Sequence, residues 1–173
     1  MILKFGHRYG YDVGYMLHML ETTPDVMGSF NALSKLAGYR KAVPVNAHMA
    51  AGLRGVLYED CGPCVQLTVD MAREAGVASD QIEAVLTGDL AIMSSDTALG
   101  YRFASAILAR SSDDEAAREA VRGAYGDAGV IALTLAAQVS RVFPMVKTGL
   151  GYGKTCSRVH VGERQVSPMK EAA

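Results

Sequence analysis

The stretch that decides the fold lies at residues 59–76 and reads EDCGPCVQLTVDMAREAG. Two cysteines, Cys61 and Cys64, stand three residues apart in it, directly after an acidic pair. The residues from Val65 to Ala75 favour a helix, and Gly76 is typical of a helix end. The pattern therefore predicts a helix that opens with a CxxC pair and holds both sulfurs near its N-terminus.

The position of this pair favours redox chemistry. Unpaired backbone N–H groups and the helix dipole stabilise negative charge at a helix N-terminus, and so they stabilise a thiolate there. In CxxC motifs the thiol pKa falls from about 8.5 into a range of roughly 3.5 to 7.5. We therefore expect Cys61 and Cys64 to form and break a disulfide. The helix terminus favours Cys61 for the lowered pKa, whereas Cys64 is the more interior of the two and faces a possible relay through His48. We expect Cys64 as the attacking thiol and Cys61 as its exposed partner, and the opposite assignment stays open.

Two other interpretations of the cysteine pair stay open. One interpretation is that the pair forms half of a zinc site. Zinc prefers four ligands, however, and the remaining soft ligands, Cys156 and four histidines, form no second close pair. Two inert buried thiols are the other alternative, because free cysteine is commonly buried.

Composition limits the class of protein. The chain has 173 residues, 50% of them hydrophobic, and its net charge of −1 gives no electrostatic case for nucleic acid. Three cysteines do not suggest a secreted disulfide framework. The N-terminal residues do not resemble a signal peptide, and we expect no membrane span. These observations predict a soluble, cytoplasmic protein without a cofactor.

The chain is expected to be all-α. It has no Trp and only four Phe, while small and aliphatic residues are plentiful. We predict one helical domain over residues 1–151 and a mildly basic, solvated tail over 152–173, whose order the sequence does not determine. Caps, prolines and glycines predict helices, besides the CxxC helix, at 24–37, 45–58, 79–86, 96–110 and 130–142. Residues 112–115 fit a capping box that starts a further helix before the last one. Asp60 is the expected cap of the CxxC helix, and Asp127 is the expected cap of the last helix.

The helix at residues 45–58 is rich in Ala and Gly, so that a neighbouring helix can approach it closely. His48, Gly52 and Gly55 fall on roughly one face of it, together with Glu59 just beyond its end. If the chain turns at residues 59–60, this helix and the CxxC helix form an antiparallel hairpin. His48 then lies within about one or two turns of Cys64, near enough for a water-bridged proton relay.

His48 and Glu59 are the candidate proton carriers beside the thiols. Histidine exchanges protons near neutral pH, although an interhelical hydrogen bond is an equally good reason for His48. Glu59 adjoins Cys61 and is placed to take its proton, but an acid before a helix start also serves the helix dipole.

The order of parts resembles the carboxymuconolactone decarboxylase and alkylhydroperoxidase D superfamily. The likeness rests on the CxxC hairpin and on three further segments, at residues 30–33, 97–104 and 125–130. It implies a helical subunit in a homo-oligomer, often a trimer or hexamer. It also implies a CxxC pair that reduces a peroxide or disulfide substrate and is restored by an external dithiol.

The chain departs from that family at two relay positions. Thr68 stands where the peroxidase branch has a histidine, and Met49 stands where it has a glutamate. His48 and Glu59 are possible replacements. Two further functions therefore stay open: a non-catalytic helical binding or redox-sensing module, and a cofactorless decarboxylase.

Overall fold

The structure, a computed structural model, describes residues 1–154 and 158–169. Cys156 lies outside the described residues. The described chain is mostly helical, as predicted, with one small β-hairpin near its end. Its elements are α1 (Ile2–Tyr9), α2 (Gly14–Thr22), α3 (Pro24–Ala37), α4 (Val45–Tyr58), α5 (Gly62–Glu74), α6 (Ser79–Thr87), α7 (Ser95–Ala109), α8 (Asp114–Gly149), β1 (Val159–Val161) and β2 (Arg164–Val166).

Helix α4 is the central element of the fold. Nearly all of its side chains between Ala47 and Leu57 are buried. Its main partners are α7 and α8, and it contacts α5 and α6 less extensively. Apolar residues of α4 therefore contribute to two core clusters, one shared with α5 and α6 and the other with α7 and α8.

Glycines let these helices approach backbone to backbone. A Cβ on Gly55 of α4 would overlap the carbonyl oxygen of Ala137 in α8. A Cβ on Gly100 of α7 would overlap the carbonyl oxygen of Ala47 in α4. The small residues of α4 thus permit close contact, as expected, but the helices that use it are α7 and α8 rather than the CxxC helix.

The turn between α4 and α5 differs in detail from the prediction. Asp60 does not cap α5: it adopts a left-handed conformation with φ of 46°, and Cys61 occupies the N-cap position. Aspartate tolerates this conformation better than most residues do. The chain therefore turns at Asp60, which places the first cysteine at the helix entry.

Helix α8 is longer than the sequence suggested. The predicted break appears at Gly126, whose φ of 68° and ψ of −175° are not helical. The second half, however, runs past the predicted end at Val142 and through Pro144 to Gly149. The expected capping box at its start is not formed, because Asp113 is the N-cap and its side chain makes no capping hydrogen bond.

By length and composition, α8 is apolar enough to cross a membrane. The expectation that the chain has no membrane span stays a prediction. A core helix passes the same test, and 39% of the apolar window is buried inside the protein. The cytoplasmic location stays a prediction.

The described part of the C-terminal tail is not merely solvated. Strands β1 and β2 pair antiparallel, with Val159 opposite Val166. Val159 and Val161 are buried in the cluster formed with α5 and α6. Gln66 of α5 binds the backbone of His160 through both ends of its amide, at 3.0 and 2.7 Å. The hairpin therefore closes one side of the helical core.

Substitution of Gly55 by alanine tests the contact between α4 and α8. Because the new Cβ overlaps the Ala137 carbonyl, we expect Gly55→Ala to lower the free energy of unfolding by about 1–3 kcal/mol. Gly123→Ala is the matched control, since a Cβ there meets nothing within 4 Å and alanine favours a helix by about 1 kcal/mol. Urea denaturation measures both. Equal stability of the two variants would contradict the proposed contact.

Candidate functional site

The two cysteines lie at the first turn of α5, as predicted. Cys61 is the N-cap, and Pro63 follows within the first turn, where its missing N–H costs no helical hydrogen bond. The sulfurs of Cys61 and Cys64 are at disulfide distance, and their Cα atoms are 5.3 Å apart. This separation lies within the usual range for a disulfide. The oxidised half of a dithiol/disulfide couple is thus compatible with the fold.

Both sulfurs are buried, which corrects our expectation of an exposed Cys61. Cys61 is 2% exposed and Cys64 is 3% exposed. They form part of an apolar cluster with aromatic residues of α2, of α3 and of the loop between α1 and α2. The second half of α8 packs against this cluster. An external reductant or peroxide therefore reaches the pair only after a covering segment moves.

One covering segment is the stretch after α8. The carbonyl of Lys154 accepts a hydrogen bond of 3.1 Å from the backbone N–H of Gly62, the residue between Cys61 and the rest of α5. Tyr152 packs against the cysteine cluster. Its ring closely approaches Gly14 and lies 6.3 Å from the ring of His18, measured between centroids. We call residues 152–154 the strap.

A second covering segment is the loop between α1 and α2, which brings a tyrosine onto the disulfide. The hydroxyl oxygen of Tyr11 lies 3.6 Å from Sγ of Cys64. Because a disulfide sulfur carries no proton, the phenol is the donor in this contact. Burial raises the pKa of Tyr11, and it also raises the pKa of Tyr15 beside it. Both phenols therefore keep their protons at neutral pH.

A buried lysine lies against the same two tyrosines. Lys147 of α8 is 0% exposed, and its Nζ donates a hydrogen bond of 3.3 Å to the backbone carbonyl of Asp12. Nζ also lies 4.2 Å from the ring centroid of Tyr11 and 5.6 Å from that of Tyr15, within the range of cation–π attraction. Burial lowers the pKa of Lys147, although the charge of Asp12 opposes that shift.

Neither Tyr11 nor Lys147 was among the site residues predicted from the sequence. The available signal for Lys147 is a single cation within the apolar run of residues 142–150. Tyr11 stands in a segment rich in tyrosine and glycine, but nothing in its local sequence relates it to a cysteine 53 positions away. Only the packing of the loop between α1 and α2 against α5 reveals that contact.

Glu59 is engaged with an arginine rather than with a thiol. Nε and Nη2 of Arg141 both lie 2.6 Å from Oε1 of Glu59, and the guanidinium lies over the ring of Tyr58. Arg141 belongs to α8, so the ion pair joins the end of α4 to α8. The structure thus gives Glu59 a packing role, and its proposed proton transfer stays a prediction.

His48 lies near the other end of α4. It is 5% exposed, and neither ring nitrogen has a partner with hydrogen-bond geometry among residues 1–154 and 158–169. Burial lowers its pKa, the nearby backbone of Ala37 opposes that shift, and Arg40 adds to it. Eleven residues, or about 16 Å of helix, separate His48 from Glu59.

The predicted relay through His48 is therefore not made by a direct hydrogen bond. Its face of α4 turns towards α8, because Gly52 approaches Ser140 and Gly55 approaches Ala137. A water-bridged path to Cys64 stays a prediction.

The two family relay positions have other roles here. Thr68 donates a hydrogen bond of 2.9 Å to the carbonyl of Cys64, within its own helix. Met49 packs against the cluster shared with α5 and α6. Among the residues described, the structure shows no group of three or more His, Cys, Asp or Glu side chains that could hold a metal ion.

No protein-family model matches this chain, and comparisons with curated proteins and with solved structures find no match either. The resemblance drawn from the sequence therefore carries no further support from these comparisons.

The packing role of Glu59 can be separated from a chemical one. We expect Glu59→Gln and Arg141→Gln to destabilise the protein, with a coupling energy of about 1 kcal/mol in a double-mutant cycle, because each removes the same ion pair. Urea denaturation measures the coupling. The rate at which a dithiol reduces the disulfide serves as the chemical readout. A rate that falls in Glu59→Gln but not in Arg141→Gln would show that the carboxylate acts on the thiols.

Loss of the Tyr152 ring tests the covering role of the strap. We expect Tyr152→Ala to speed reduction of the disulfide by an external dithiol about tenfold, because the apolar contact that holds the strap closed is lost. The rate is measured by quenching with an alkylating reagent and counting modified thiols. Tyr39→Ala is the control, since Tyr39 is exposed. An unchanged rate in Tyr152→Ala would mean that access does not depend on the strap.

Proposed function

We propose that this protein is a thiol–disulfide oxidoreductase that cycles Cys61 and Cys64 between dithiol and disulfide to reduce a peroxide or a disulfide. The observation that carries the proposal is the pair itself: two sulfurs at disulfide distance on the first turn of α5. The hydrogen bond from Tyr11 supports it, because it places a polar group on one sulfur within an otherwise apolar cluster.

The proposed reaction with a peroxide uses both thiols. The thiolate of Cys64 attacks the terminal oxygen of the peroxide, the O–O bond breaks, and the released alkoxide takes a proton to become an alcohol. Cys64 is then a sulfenic acid. The thiol of Cys61 condenses with it, which forms the S–S bond and releases water. An external dithiol restores both thiols by exchange and becomes a disulfide itself.

The resemblance to the alkylhydroperoxidase D superfamily supports the same reaction class. It also underlies our proposal of a homo-oligomer, a trimer or hexamer, whereas the proposed cytoplasmic location rests on composition. The family's relay does not transfer, because Thr68 and Met49 occupy its positions. In this proposal the chain uses a different set of groups around its thiols.

A redox-sensing module is the second candidate, and the burial of both sulfurs favours it. A pair that is 2% and 3% exposed suits slow, infrequent oxidation better than rapid turnover. In that case, formation of the disulfide changes the conformation or assembly of the protein, and no substrate is turned over.

Thiol counting tests the proposed function. The protein is reduced with a dithiol, freed of it, and treated with one equivalent of cumene hydroperoxide. We expect a loss of two thiols per chain, reversed by dithiol, and repeated consumption of hydroperoxide when dithiol is present in excess. Cys64→Ser should show neither effect, because it lacks the attacking sulfur. Cys61→Ser should not lose two thiols, because its Cys64 sulfenic acid has no Cys61 thiol with which to form the disulfide. Cys156→Ser is the matched control and should behave as the wild type.

The outcomes separate the two candidates. A single round of oxidation without sustained consumption of hydroperoxide or of a small disulfide supports the sensing module. A disulfide that no dithiol reduces in the folded protein contradicts both, and leaves Cys61 and Cys64 as a structural cross-link.

A further inference from the structure

We propose that Tyr11 is a catalytic residue that donates a hydrogen bond to the Cys64 thiolate, and that Lys147 is a positioning residue which fixes the Tyr11 ring and brings positive charge to the site. This inference rests on the proposed function and extends it. It also assigns the two sulfurs different roles during reduction: Cys61 is attacked, and Cys64 leaves as the thiolate.

The position of Tyr11 is set by the backbone and by its aromatic neighbours. Gly10 ends α1 in a left-handed conformation, and the N–H of Tyr11 then binds the carbonyl of Gly6 at 3.0 Å. The ring lies edge-on to Phe5 and to Tyr15, with centroids 6.1 and 6.5 Å apart. These contacts restrict the ring, so the hydroxyl stays directed at Cys64.

The contact from Tyr11 stabilises the reduced state selectively. A disulfide sulfur is a weak acceptor, whereas a thiolate carries a full negative charge, and hydrogen bonds to charged groups are about twice as strong as neutral ones. The 3.6 Å contact in the oxidised protein therefore becomes a much stronger interaction when Cys64 is a thiolate. Because burial raises the pKa of Tyr11, the phenol keeps the proton that this hydrogen bond needs.

Lys147 acts through the tyrosine and the loop that carries it. Its hydrogen bond to the Asp12 carbonyl ties that loop to α8, and its ammonium lies on the face of the Tyr11 ring. The charged groups that act on Lys147 are Asp12, which raises its pKa, and Lys154 of the strap, which lowers it. Burial lowers the pKa further and is the largest influence.

The reductive step balances as a thiol–disulfide exchange. A thiolate of an external dithiol attacks Sγ of Cys61, a new S–S bond forms there, and the bond between Cys61 and Cys64 breaks. Its electron pair goes to Cys64, whose thiolate then accepts the hydrogen bond from Tyr11. The second thiol of the reductant, as its thiolate, attacks the mixed disulfide, releases Cys61 as a thiolate that takes up a proton, and leaves the reductant oxidised.

The test compares the reduction potentials of Tyr11→Phe, Lys147→Met and wild type. The full-length protein is equilibrated in dithiol redox buffers, and alkylated thiols are counted by mass. Absorbance of the thiolate near 240 nm then gives the thiol pKa of the reduced protein. Tyr101→Phe is the control, because Tyr101 is also a buried tyrosine whose hydroxyl contacts a sulfur, that of Met169 at 3.4 Å, but in a different cluster.

We expect Tyr11→Phe to shift the equilibrium about tenfold towards the disulfide, a potential about 30 mV more negative, and to raise the thiol pKa by about one unit. Lys147→Met should shift the potential and the thiol pKa in the same directions as Tyr11→Phe. Lys147→Arg, which keeps the charge, should lie closer to the wild type than Lys147→Met in both quantities. Tyr101→Phe should leave both quantities unchanged.

Two results would overturn the inference. If the wild-type pair titrates with dithiol but Tyr11→Phe matches Tyr101→Phe in potential and pKa, the inference alone fails and the proposed function stands. If no dithiol buffer reduces the wild-type pair, the proposed function fails and the inference fails with it. Circular dichroism checks folding. If Lys147→Met does not fold, Tyr11→Phe and Lys147→Arg decide the outcome.

Discussion

The contact between Gly55 and the Ala137 carbonyl fixes the position of α8 against the central helix, and the site depends on that position. No side chain fits between the two backbones, so α8 has one register along α4. One turn further along α8, Arg141 reaches Glu59 at the end of α4. About two turns beyond that, Lys147 reaches Tyr11 and Asp12. A close backbone contact in the core thus positions a charge beside the disulfide.

The burial of the disulfide determines what kind of redox chemistry this fold can support. An exposed CxxC pair exchanges with any small thiol, whereas this pair lies beneath the strap and the loop that carries Tyr11. Local opening of such segments costs less free energy than global unfolding, so access and stability are set by different contacts. The hydrogen bond between Gly62 and Lys154 joins the strap directly to the first turn of α5. Opening of the strap and exposure of the sulfurs are therefore coupled.

The sequence predicted much of the local structure of the central helices but not which helix covers each of their faces. Caps, prolines and glycines located α3 to α7 closely, because those signals act within a few residues. The same pattern placed His48 and Glu59 on one face of α4 correctly, but could not show that this face contacts α8 instead of α5. Helical periodicity identifies which residues share a face and not which helix covers it. For the same reason, the contact between Tyr11 and Cys64 had no local signal.

The charges around the disulfide favour a thiolate at Cys64 over a thiol. In the oxidised protein the buried ammonium of Lys147 faces neutral phenols and a neutral disulfide, and among the named groups only the charge of Asp12 opposes the cost of burying it. Reduction adds a negative charge to the same cluster, and each charge then favours the other. The positive charge of Lys147 then stabilises the thiolate form of Cys64, and the thiolate is the nucleophilic form of cysteine.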